Sequence, residues 1–262
     1  MRLGFSPMTA RMLDVEEAFR LASELHLDFV ELSFDLHEVL PALQAVDRIA
    51  RLSRATGVGT TLHLSYVDLN LASLMPVARA AAVERTLAGI AYAERVGASC
   101  AVLHTGQHHL RHPQADALAA TALDASFQAL AGAPVPIALE NLALGDADYL
   151  RTPAELRALA DRYALSTCLD FGHAHVQGVR EGTDAASAYL EALGPTLAHL
   201  HVHGNHGTAD EHLASDQGTL DYAAHAAFLR DFPGTVCLEI ATGADGVRAS
   251  VAHLRRLVEA AA

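Results

Sequence analysis

The chain has 262 residues, 51% of them hydrophobic, which is ample for one large core. Its 18 basic and 31 acidic residues leave a formal net charge of −13. That balance argues against broad electrostatic attraction to nucleic acid, although three bound divalent ions would halve it and concentrate positive potential in one cleft. No run of about 18 uncharged apolar residues occurs, so no membrane span is expected. The opening MRLGFSPMTARMLDVEEAF lacks the apolar region of a signal peptide. Cys100, Cys168 and Cys237 each lie in an apolar run without CxxC spacing, as small core residues of a reducing cytoplasm would.

Strand and helix signals alternate from end to end. RLGFSP reads as a strand and precedes a helical stretch over 14–25; DFVELSF precedes 39–56; TTLHLS precedes 76–96; CAVLHTG precedes 112–131. PIALENL then leads to 153–163, STCLDFGH to 184–193, LAHLHVHG to 219–231, and TVCLEI to 246–260. Within 76–96, apolar Val83, Leu87, Ile90 and Ala91 recur at the spacing of one buried helical face. Thr152 before Pro153 reads as an N-cap with proline at the first helical position. The strands are continuous apolar runs, as expected when both faces are covered. Eight such units without a break in composition predict one α/β domain over 1–262, a (β/α)8 TIM barrel.

Polar residues stand where these apolar runs end. They are His63 in HLSY, His104 in HTG, Glu140 in LEN, Asp170 and His173 in LDFGH, His201 in HLHVHG and Glu239 in CLEI, with Asp210 and His212 following in ADEH. Groups of this kind are costly to bury unless something pairs them. They converge if the strands close into a parallel barrel, whose chemistry sits at the C-terminal face. Imidazole and carboxylate donors suit zinc, manganese or iron better than calcium or magnesium. Glu140, Asp170, His201 and Glu239 make one compact metal site. His63 and His104 hold a second ion if Glu140 bridges, and His173, Asp210 and His212 hold a third. Clustered ions act as Lewis acids and generate hydroxide.

The other histidines carry weaker expectations. His26, His37, His112, His225 and His253 are read as solvated, and His108 and His109 as lining the cleft. His199 and His203 share the strand face of His201. His203, Tyr66 and Asn70 are the expected substrate contacts.

The motifs HLSYVDLNLAS, VLHTG, ALEN, CLDFGHAH, HVHGN with DEHL, and LEI resemble the xylose-isomerase-like TIM-barrel superfamily. That superfamily contains endonuclease IV (AP endonuclease family 2) and sugar or sugar-phosphate isomerases and epimerases. The resemblance to endonuclease IV implies up to three zinc ions. His63 and His104 match its first-zinc histidines and Glu140 its bridging carboxylate. Asp170, His201 and Glu239 match the second set, and His173, Asp210 and His212 the third. It implies phosphodiester cleavage by a metal-activated water, with Glu140, Glu239 and His173 taking part in catalysis.

Two features depart from endonuclease IV. The loop after the second strand reads SFDLHEVLPAL, acidic and without the arginine that enters DNA there, and the chain has no tryptophan. The Tyr66–Asn70 segment is one residue longer. VELSFD, with Glu31, and the short loop HVHGNHGTADEHL look more like the small-molecule branch. That branch needs only Glu140, Asp170, His201 and Glu239 around one manganese or similar ion, with the two glutamates as acid and base. The expectation is therefore a small-molecule or phosphoester substrate, with zinc as the metal and manganese as the alternative. DNA is the less favoured substrate.

Overall fold

The computed structural model describes residues 1–108, 110, 112–142, 145 and 147–261. Eight strands close into a parallel barrel in chain order, the eighth pairing with the first. They are β1 (Arg2–Phe5), β2 (Phe29–Ser33), β3 (Gly59–His63), β4 (Ala101–Leu103), β5 (Ile137–Glu140), β6 (Ser166–Asp170), β7 (Leu197–Val202) and β8 (Thr235–Leu238). Helices run between them: α1 (Val15–Glu24), α2 (Phe34–Val39), α3 (Val46–Thr56), α4 (Pro76–Val96) and α5 (Pro113–Ala129). The second half adds α6 (Pro153–Tyr163), α7 (Phe171–Glu181), α8 (Ala185–Leu193), α9 (Ala226–Asp231) and α10 (Gly243–Ala260). Among the described residues no helix is long and apolar enough to cross a membrane.

Burial explains the strand sequences. Every residue of β2, β4, β5 and β8 is buried, because helices cover the outer face and side chains fill the interior. Helix boundaries follow backbone chemistry. Pro76 opens α4, and Gly97, left-handed at φ 71°, closes it. At α6 the Thr152 hydroxyl accepts from Glu155 N at 3.2 Å, while the Glu155 carboxylate accepts from Thr152 N at 3.1 Å.

Three expected elements differ. The helix expected over 39–56 begins only at Val46 as α3, after a turn through Pro41, since proline has no N–H to continue a helix; an unexpected α2 precedes it, starting at Phe34 within the run read as strand, where the Ser33 hydroxyl caps it by accepting from Leu36 N. The strand read through STCLDFGH stops at Asp170, and α7 begins at once. The Asp170 side chain caps it, accepting from His173 N at 2.7 Å. The stretch 219–231 starts as a 3-10 turn over Tyr222–His225 before α9.

One irregularity bears on the site. Between β6 and β7 the register moves from Thr167↔Leu197 to Cys168↔His199, leaving Ala198 unmatched. A bulge of this kind re-aims the side chains that follow, here the row His199, His201 and His203.

Removing the α6 cap with Thr152→Ala is expected to cost about 1 kcal/mol. Urea unfolding checks this: the midpoint falls with the slope unchanged, and an unmoved midpoint would refute the capping role.

Candidate metal centre

Glu140, at the end of β5, is buried and faces two groups of histidines with its two oxygens. Oε2 lies 2.9 Å from His104 Nε2 and 3.4 Å from His63 Nε2. Oε1 lies 3.1 Å from His201 Nδ1 and 3.5 Å from His173 Nδ1. His201 Nδ1 is also 3.8 Å from Asp170 Oδ2 and 3.5 Å from Glu239 Oε2. On the far side, Asp210 Oδ2 is 2.9 Å from His212 Nε2 and 3.4 Å from His173 Nε2. The fold thus brings all nine residues expected as ligands to one mouth of the barrel.

One device repeats among the histidines. His63 Nδ1 donates to Leu64 O at 2.8 Å, His173 Nδ1 to Asn141 O at 2.8 Å, and His212 Nδ1 to Glu239 O at 2.9 Å. Each bond to a carbonyl fixes the tautomer and leaves Nε2 bare and turned toward a carboxylate. His201 is reversed. Its Nε2 donates to Glu31 Oε1 at 3.0 Å, so Nδ1 turns to Glu140, Asp170 and Glu239.

Glu31, on β2, forms the floor of this arrangement. It is fully buried, accepts from Thr61 Oγ1 at 2.9 Å, and lies 3.0 Å from His199 Nε2. Its positioning role was not legible in the sequence, because its partners on β7 are about 170 residues away in the chain. Cys237 lies within reach of Glu31, His199 and His201, and Cys168 of Glu140 and His201. These thiols therefore back the donor cluster as well as filling core.

Above the floor opens a cleft of about 430 Å³, lined by His63, Tyr66, His104, His173, His212 and Glu239 among others. Among the described residues its lining holds no lysine or arginine. Tyr66 stands at its edge, its ring 5.0 Å from that of His63 and 5.1 Å from that of His104. Asn70 is placed differently: its amide donates to Gln107 O and accepts from Ala72 N at 2.9 Å, tying two loops together. His203, expected at the substrate, is fully buried and offers no surface to the cleft. His108 pairs with Asp116 at 2.9 Å and lines a neighbouring cavity of about 660 Å³ instead of the cleft. His109 lies outside the described residues. His37, His225 and His253, expected in solvent, are half-buried: His37 stacks on Tyr92 at 4.1 Å, His225 packs 5.2 Å from Phe171, and His253 bonds Ser215 at 3.0 Å.

Residues 19–257 match the family model of xylose isomerase-like TIM barrels. The chain belongs to that family. It is similar to a D-tagatose 3-epimerase-like protein (TM-score 0.83, 21% identity, 100% of this chain and 98% of that one). It is also similar to the TTHB071 protein from Thermus thermophilus, in a crystal soaked with ZnCl2 (TM-score 0.74, 26% identity, 99% of each chain). Endonuclease IV from the same organism is a third match (TM-score 0.69, 21% identity, 99% of this chain and all of that one). Family membership covers both the epimerase and the endonuclease architectures.

The donor spacing fits divalent ions. Donors about 2.0 Å from a tetrahedral zinc are separated by about 3.3 Å, and the imidazole–carboxylate separations above run from 2.9 to 3.8 Å. Asp170 Oδ2 is buried without a hydrogen-bond partner and points into the group. Protons occupy the same places when no ion does. Burial alone would lower the His63 imidazole, but its bond and charge attraction to Glu140 raise it to about 9. His212 is likewise depressed by burial and raised by Asp210, to about 9. Against burial, His201 and His104 hold Glu140 well below the carboxylate range.

Two outcomes follow. Raised imidazole pKa values stabilise the metal-free fold fully below about 6.5, and that contribution is lost as pH rises through about 9. Zinc must displace those protons, so binding is expected to tighten from pH 7 to 9 and to release protons near neutrality. Calorimetry in buffers of different ionisation enthalpy measures this, and pH-independent binding would contradict it. Separately, Glu31→Gln is expected to weaken zinc binding about 10- to 100-fold, because His201 loses the carboxylate that orients it. Equilibrium dialysis with a zinc indicator is the check, and wild-type affinity would exclude the role.

Proposed function

We propose that the chain is a divalent-metal-dependent hydrolase of a small phosphoester, with zinc as the expected metal. The observation that carries this reading is the division of Glu140: one oxygen faces Nε2 of His104 and His63, the other Nδ1 of His201. A carboxylate so divided suits two adjoining ions, more than a one-metal reaction needs. Bound ions would supply Lewis acidity and activate water.

The chain's own residues do the rest in this reading. His63, His104 and Glu140 hold the first ion, Glu140, Asp170, His201 and Glu239 the second, and His173, Asp210 and His212 the third. Glu239, on the cleft wall, is placed to accept a proton from an incoming nucleophile. His173 lines the same cleft, and Tyr66 covers its edge. With no lysine or arginine in the lining among the described residues, the main positive charge for a phosphoester would come from the ions, and a cleft of about 430 Å³ suits a small molecule rather than duplex DNA.

A second reading is favoured by the lack of lysine and arginine among the described lining residues: a metal-dependent sugar or sugar-phosphate epimerase or isomerase. Glu140, Asp170, His201 and Glu239 would hold one manganese or similar ion, and Glu140 and Glu239 would move protons on either side of a ketose.

The double change His63→Ala with His104→Ala separates the two. Under the hydrolase reading it removes about one ion per chain and lowers phosphoesterase activity by orders of magnitude. The assay sets small phosphodiesters and an abasic-site oligonucleotide beside a panel of ketoses and their phosphates, with elemental analysis of the protein. A wild type that binds one ion and epimerises a sugar would establish the second reading.

A further inference from the structure

We infer that His203 joins His173, Asp210 and His212 in a closed, all-protein zinc site, so that the third ion fastens the loop after β7 instead of meeting substrate. The inference rests on the multinuclear reading above and assigns that ion a structural task.

His203 follows the last residue of β7 and is fully buried. Its Nδ1 faces Gly204 O at 3.3 Å, the same tautomer-fixing arrangement found at His63, His173 and His212. Nε2 is then bare. It lies 3.3 Å from Asp170 Oδ1 and 3.2 Å from Asp210 Oδ1, yet has no hydrogen-bond partner. A buried lone pair held against two carboxylate oxygens is unfavourable unless a cation lies among them. The His203 ring stacks on His212 with centroids 4.1 Å apart, which turns both Nε2 atoms to Asp210, one toward each oxygen. The position is made by Gly172: a Cβ there would lie 2.0 Å from His203 Cε1.

The four donors come from three places: His203 after β7, His173 on α7, and Asp210 with His212 on the loop. That loop is closed at its base by paired 2.8 Å bonds between Gly204 and Leu213. An ion among these donors would rivet the loop to α7. Four protein donors close a zinc site, whereas catalytic zinc keeps one position open. Substrate would therefore meet only the ions of the Glu140 groups.

The test reloads metal-stripped wild type, His203→Gln and Gly172→Ala with zinc, counts bound ions, and follows proteolysis of the 204–213 loop. Gly172→Ala removes no donor but drives the His203 ring from its place, so it reports even if His203→Gln fails to fold. The expected result is three ions in the wild type. In the variants the weakest-held ion is bound about 10- to 100-fold less tightly, and zinc no longer protects the loop. Cobalt in the third site of the wild type should show the intense absorption of a four-coordinate centre, and lose it in the variants. Three ions in wild type and variants alike, with equal affinity and equal loop protection, would overturn the inference and leave the multinuclear reading standing. A wild type that binds only one ion would overturn both.

Discussion

The structure depends on how one barrel mouth tolerates buried carboxylates. Glu31, Glu140 and Asp170 are each almost wholly removed from water, and the desolvation cost of such groups is met only by opposite charge or hydrogen bonds at short range. The fold meets it by interleaving imidazoles: Glu31 between His199 and His201, Glu140 between His104 and His201, Asp170 between His201 and His203. His201 on β7 reaches all three, and Glu31 on β2 meets it from across the barrel. The cluster is therefore complete only when the barrel is closed.

This interdependence explains what could be read from sequence. The strand-end donors were legible because a titratable residue at the end of an apolar run has no reason to be there in a plain core. The bounds of α6 were legible from Thr152 and Pro153; those of α4 also matched, but its buried face runs through Ala82, Thr86, Ile90 and Ala93, while Leu87 and Ala91, read as part of that face, are exposed. Helix α7 was not, because Asp170 serves two purposes: one carboxylate oxygen caps the helix and the other points to the donor group. A sequence reading that gives Asp170 to the metal leaves the helix without a visible start. The floor was missed for another reason. Glu31, Thr61 and His199 pair across strands, and cross-barrel pairing has no local signature.

The orientation of the histidines separates an organised donor set from a collection of polar residues. His63, His173, His203 and His212 turn Nδ1 to a backbone carbonyl, whereas His201 gives Nε2 to Glu31 and turns Nδ1 to the donor group. The backbone carbonyls belong to Leu64, Asn141, Gly204 and Glu239, residues within two positions of the strand ends themselves. The geometry of the barrel rim thus sets the tautomers, and a shift of a strand end would change which nitrogen faces the cleft. The bulge at Ala198 acts on this variable, because it fixes the phase in which His199, His201 and His203 present themselves to the interior.

Charge decides what such a mouth can bind. The chain carries −13 overall, and its cleft has no lysine or arginine among the described residues. Without ions the carboxylates attract protons, and Glu140 and Asp210 keep His63 and His212 protonated up to about pH 9. Bound ions would add more positive charge, since a divalent cation outweighs any single side chain nearby. A phosphoester would be drawn more strongly to a loaded site than to an empty one, whereas a neutral sugar would enter either way. The two functional readings of the family differ at this point, and the division of Glu140 between two histidine groups is the local feature that tilts the balance toward the more highly charged, multinuclear state.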